Sequence, residues 1–152
     1  MKTIQITLRA LLALSALLAF ASAQAQMTPV GLWHSIDDKN GEPKGEIRIV
    51  DVGGVLSGKV ERSLLKDSKP GEKCDQCTDD RKDKPKIGLE IIRGMHKADG
   101  KDVWEGGTIV DPDNGTVYKL KLTPIDGGKK LDVRAFIGFA LLGRTQTWLR
   151  VQ

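Results

Sequence analysis

Aromatic side chains are scarce in this chain: three Trp, three Phe and one Tyr among 152 residues. That leaves too few ring faces for a platform on which successive nucleic-acid bases could stack. Histidine and cysteine occur twice each. A zinc site built on Cys74-Asp75-Gln76-Cys77 would need two further ligands, and His34 and His96 stand in no close ligand spacing. The sequence contains no His-Glu-x-x-His, no nucleophile elbow and no phosphate-binding loop. No catalytic residue, metal or cofactor is therefore assigned. After residue 21 no apolar run approaches the roughly 18–20 residues that a membrane-spanning helix needs.

What is present begins at the N-terminus. Lys2 and Arg9 precede a mostly Leu/Ala run over residues 10–21, and Ala23-Gln24-Ala25 offers the small-x-small pattern of a signal-peptidase site. The run is too short for a spanning anchor. The reading is a signal peptide over residues 1–25, cleaved after Ala25, with Ala21-Ser22-Ala23 as the alternative site. A periplasmic or secreted location follows, and no Cys after the run indicates a lipid anchor. The leader carries both of those cations and no acid, so the formal charge of +4 falls to +2 without it. Beyond residue 26, Lys and Arg alternate with Asp and Glu instead of clustering. That describes a mixed solvated surface, and no nucleic-acid partner is expected.

The remaining 127 residues, 26–152, suit one domain with one core. From Gly31 onward apolar residues recur with period two, interrupted by turn chemistry. Strands are predicted over residues 31–36, 46–50, 55–61, 87–96, 103–110, 118–122, 130–136 and 145–151. Asn40-Gly41, Gly53-Gly54, Asp99-Gly100, Asn114-Gly115 and Gly127-Gly128 mark reversals between them. Eight consecutive hairpin-linked strands suit an all-β, single antiparallel up-and-down barrel, because closure removes the exposed edges an open sheet would keep. A two-sheet sandwich is the alternative. The apolar stretch over residues 137–143 breaks the alternation, and is expected to be a buried turn or single helical turn plugging one end.

Gly31-Leu32-Trp33 at the first strand and Thr147-Trp148-Leu149-Arg150 at the last resemble the ends of calycin barrels, such as those of lipocalins and avidins. The resemblance implies that Arg150 stacks over Trp33 where the first and last strands meet, a cation–π contact. Together with Trp104-Glu105-Gly106-Gly107-Thr108-Ile109-Val110-Asp111-Pro112 and the stretch from Ile137 to Trp148, the chain from Pro29 to Val151 is similar to the bacterial exported family known as domain of unknown function 2147. That resemblance implies a periplasmic protein and brings no catalytic residues with it.

Several residue groups could carry function. Cys74 and Cys77, an even pair in an exported chain, are expected to form a local structural disulfide, with thiol exchange or metal binding as alternatives. They lie in a segment over residues 64–85 whose six basic and six acidic side chains balance. It reads first as a solvated excursion and second as a lid over a barrel mouth, stapled by the Cys pair. Trp104, Glu105, Tyr118, Arg134, Arg144 and Gln146 would form a polar-aromatic lining if they faced a cavity. Alternatively they pack or cap turns; Trp104 and Trp148 have the size to fill a small barrel. Trp33, Trp148 and Arg150 are assigned structural roles. The expectation is a binding module for a small apolar or amphipathic ligand, resting on fold analogy. The alternatives are a solid barrel with an envelope structural or interaction role, and an enzyme using the Cys pair, Glu105 or Asp111.

Overall fold

The computed structural model describes residues 27–151, so the signal-peptide reading of residues 1–25 lies outside the described residues. Nine strands appear in order: β1 Gly31–Ile36, β2 Pro43–Val52, β3 Val55–Ser63, β4 Glu90–Lys97, β5 Trp104–Glu105, β6 Thr108–Val110, β7 Val117–Ile125, β8 Lys130–Phe136 and β9 Arg144–Arg150. Neighbours pair antiparallel in the order β3-β2-β1-β9-β8-β7-β5-β4, and β3 pairs with β4 to close the ring. The strand expected over residues 103–110 is broken at Gly106-Gly107. Its halves, β5 and β6, both pair with β4 and β7 and share one position in the wall. The result is a closed barrel with eight wall positions and one extra strand. Among the described residues, no helix is long and apolar enough to cross a membrane.

Alternation places one side chain in two inside, and the interior is packed unevenly along the barrel axis. Trp33, Ile49, Leu56, Ile92, Met95, Leu120, Leu122 and Leu131 are fully buried and fill one end. At that end Trp33 pairs across the ladder with Arg150. The Arg150 guanidinium lies 4.2 Å from the centre of the Trp33 ring. It also donates to the carbonyls of Gly128 at 2.6 Å, Thr28 at 2.7 Å and Val30 at 2.9 Å. Burial pulls its pKa below the ordinary arginine value, and the guanidinium stays charged. The Trp33 indole donates to the Pro29 carbonyl at 2.7 Å. Gly31 is required beneath this clasp: its φ is +142°, and a Cβ there would collide with the Arg150 guanidinium.

Two segments differ from their sequence expectation. Residues 64–85 are mostly exposed, as a solvated excursion would be, but the buried Cys74, Cys77 and Arg81 tie them to the barrel as a strap. Lys73 and Pro85 form a β-bridge, and the Cys74 N–H donates to the Lys84 carbonyl at 2.9 Å. Cys74 and Cys77 are joined in a buried disulfide. The balanced charges pair: Arg81, 3% exposed, grips Asp79, and Arg93 on β4 holds Asp80 through two hydrogen bonds of 2.7 and 2.9 Å. Residues 137–143 are not a buried plug. They contain a single 3₁₀ turn, Ala140–Leu142, whose apolar side chains face outward. This stretch extends past the ends of β8 and β9, outside the packed interior.

Candidate functional site

Away from the Trp33 end the inward side chains shrink along β1, β2 and β8. The sequence runs from Trp33 to Ser35 on β1, from Ile49 through Ile47 to Gly45 on β2, and from Leu131 through Val133 to Ala135 on β8. On β9 it runs from Trp148 through Gln146 to Arg144, exchanging apolar for polar. This taper leaves a cavity of about 530 Å³ open at the second end, within the range of roughly 300–1,000 Å³ for small-molecule sites. Ile47, Val60, Ile91, Val133, Ala135 and Trp148 supply its apolar wall, and Tyr118 and Gln146 supply polar groups inside.

A hydrogen-bond chain leads from that wall to the rim. The Trp148 indole donates to Gln146 Oε1 at 3.2 Å, and Gln146 Nε2 donates to Asp38 Oδ2 at 2.9 Å. Arg144 closes on the same Asp38 oxygen at 2.7 Å. Opposite, Asp113 in the β6–β7 turn holds Lys44 of β2 and Lys86 at the foot of the strap, each at 2.7 Å. Burial pushes the Asp113 carboxyl up, but the two ammonium groups outweigh it and hold it below the ordinary range. Lys86 also meets Glu72 at 3.4 Å. The Lys69 backbone N–H and the Lys86 ammonium lower the Glu72 carboxyl as well. The strap residues Leu65, Ser68, Lys69 and Glu72 thus stand along the mouth, the lid-like position that was the second expectation.

The strap is braced from below. The Arg81 side chain and backbone N–H hydrogen-bond Asp79 and depress its pKa to about 2. Arg81 also donates to the Glu90 carbonyl at 3.3 Å, fixing the strap to the start of β4.

Of the residues proposed as a lining, Tyr118, Arg144 and Gln146 border the cavity. Trp104 is buried in the filled half, with Lys97 lying 5.1 Å over its ring. Glu105 pairs with Lys121 at 2.7 Å outside the cavity. Arg134 points away too, donating to the Ala140 carbonyl at 2.9 Å and to Thr145 Oγ1 at 2.9 Å. Asp111 accepts from the Asp113 N–H and the Asn114 amide and so shapes its turn. Sequence reasoning missed Ser35, Gly45, Val60 and Ala135 as lining residues. For Ser35, Gly45 and Ala135 the signal was present in the diminishing size of inward residues along β1, β2 and β8; Val60 carries no such signal. Among the described residues, no group of three or more His, Cys, Asp or Glu side chains is arranged to hold a metal ion.

A closed antiparallel barrel, filled at one end by a Trp–Arg clasp and hollow at the other, is a lipocalin-like architecture. The chain belongs to the family described as uncharacterized proteins conserved in bacteria, domain of unknown function 2147, which it matches over residues 31–150. Among solved structures it is similar to protein HP1028 from Helicobacter pylori, described as belonging to the lipocalin family. The TM-score is 0.68 at 14% identity, covering 81% of this chain and 82% of that one. No curated protein matches the sequence.

Proposed function

We propose that this is an exported, periplasmic binding protein that holds one small amphipathic molecule in the open half of its barrel. The apolar body lies against Val133, Ala135 and Trp148, and the polar end meets Tyr118, Gln146 and the charged rim. The observation that carries this reading is the cavity of about 530 Å³, in which an apolar wall converges on a few polar groups. Charge at the rim is nearly self-compensated by Asp113–Lys44, Asp113–Lys86 and Asp38–Arg144. The rim therefore orients a polar group without demanding one sign of charge. Thiol exchange draws less support, because a thiolate must reach a sulfur and both sulfurs are buried.

The test compares the native protein with Ala135→Phe, which places a ring in the hollow without touching the filled end. An environment-sensitive fluorescent probe with an apolar body should bind the native protein and lose about tenfold or more in affinity in the variant, a difference of ~1.4 kcal/mol or more. Urea midpoints should stay close. Equal probe binding by two equally stable proteins would show that the hollow is not the site. Native mass spectrometry of protein drawn from its own periplasm would then name the occupant by mass.

A further inference from the structure

The 3₁₀ turn between β8 and β9 is the most apolar exposed feature among the described residues. Residues 137–143 contain no charge, and Ile137 is 63%, Phe139 79%, Leu141 92% and Leu142 81% exposed. The turn stands beside the cavity mouth, since Ala135 before it and Arg144 after it both border the hollow. Its backbone is closed by two internal hydrogen bonds. The Leu142 N–H donates to the Phe139 carbonyl at 3.1 Å and the Gly143 N–H to the Ala140 carbonyl at 3.3 Å. The Arg134 guanidinium caps the same Ala140 carbonyl. Exposed hydrocarbon on an uncharged turn is what a segment needs to enter the interfacial zone of a bilayer, where water still reaches the free backbone groups.

We propose that this turn docks the barrel on a lipid bilayer. Ile137, Phe139, Leu141 and Leu142 insert into the interfacial zone and hold the mouth against the lipid surface. A lipid surface fits better than a protein pocket. Protein interfaces surround a buried apolar centre with a polar rim, whereas here one narrow convex turn projects four hydrocarbon side chains. Leu65 and Ile87, also exposed, extend the apolar rim along the same mouth. The nearest rim charges are paired, Arg144 with Asp38 at 2.7 Å. Docking is therefore driven by apolar insertion, with little dependence on anionic lipid or salt. It rests on the turn alone; exchange of a ligand between bilayer and cavity additionally rests on the binding reading above.

The experiment uses the mature protein and vesicles of neutral phosphatidylcholine. The native protein should cosediment with them at low and high salt. Phe139→Asp/Leu141→Asp should bind about tenfold more weakly or worse, while keeping its urea midpoint and its affinity for the cavity probe in solution. Phe139→Trp, which keeps an apolar side chain, should shift its emission to the blue and be quenched by brominated acyl chains. Ala135→Phe should bind vesicles like the native protein, which separates failure of docking from failure of ligand binding. Native protein that stays in the supernatant, or a double Asp variant that cosediments undiminished, overturns the proposal. The first of these outcomes would leave the turn as a surface for a protein partner.

Discussion

The α-carbon of Gly115 is pressed against the backbone carbonyl of Gln76, so tightly that a Cβ would overlap that carbonyl and the Cys77 nitrogen. The β6–β7 turn is thereby wedged against the disulfide turn of the strap. Two elements far apart in sequence share one side of the mouth.

Gly115→Ala should therefore displace the strap. The residue has φ +71°, and the overlap adds to that backbone strain, so a loss of about 1–3 kcal/mol is expected in urea denaturation. Cleavage by proteases within residues 64–85 should accelerate. Gly41→Ala is the control: its φ of +72° is the same, but the space around it is open. It should cost less and leave the strap protected. Equal effects of the two substitutions would show that the Gln76 contact contributes nothing.

Acid should loosen the strap in a defined window. Asp79 titrates near 2 in the folded protein because of Arg81, against ~3.9 in an unfolded chain. A carboxylate lowered in this way stabilises the fold fully above about pH 4, and the contribution is lost as pH falls through about 2. Asp113, lowered by Lys44 and Lys86 against its burial, and Glu72, lowered by the Lys69 backbone N–H and Lys86, act with the same sign. Amide exchange at Cys74 and Asp83, expressed as protection over the unfolded chain, should drop between about pH 4 and 2. In Asp79→Asn the drop should be smaller. Protection that stays flat in the native protein would rule this account out.

The closed end is expected to depend on a single guanidinium. Arg150→Ala removes three hydrogen bonds to carbonyls and the contact with Trp33, and should cost about 3 kcal/mol in urea denaturation. Arg150→Lys keeps the charge without the planar fork and should recover only part of it. Full recovery by Lys would mean that charge, not geometry, holds the end shut.

The barrel was readable because its strands are half buried: Glu46 to Val50, Tyr118 to Leu122 and Lys130 to Phe136 alternate cleanly, and alternation reports which face meets the interior. Where alternation stops, composition misleads in both directions. Residues 137–143 are apolar and look buried, yet composition cannot tell a side chain entering a core from one projecting past it. Residues 64–85 are charged and mostly exposed, yet composition does not show that Arg81 is buried on Asp79 or that Asp80 is held by Arg93 of β4. The Trp33–Arg150 clasp was read from two short end motifs. The lining was half read: Tyr118 and Gln146 lie on the inner face near the open end, whereas Glu105 and Arg134 form local pairs that spacing does not reveal.

The plug formed by Trp33, Leu56, Leu122 and Leu131 turns the interior into a blind pouch with one doorway. Anything that goes in must come out by the same route, and the end that enters first is the one stopped at the floor. A molecule too long for the pouch would therefore keep its far end outside, beside the strap and the apolar turn. Retention would then be set by how readily that doorway relaxes, and the depth of the floor would act as a ruler for the occupant.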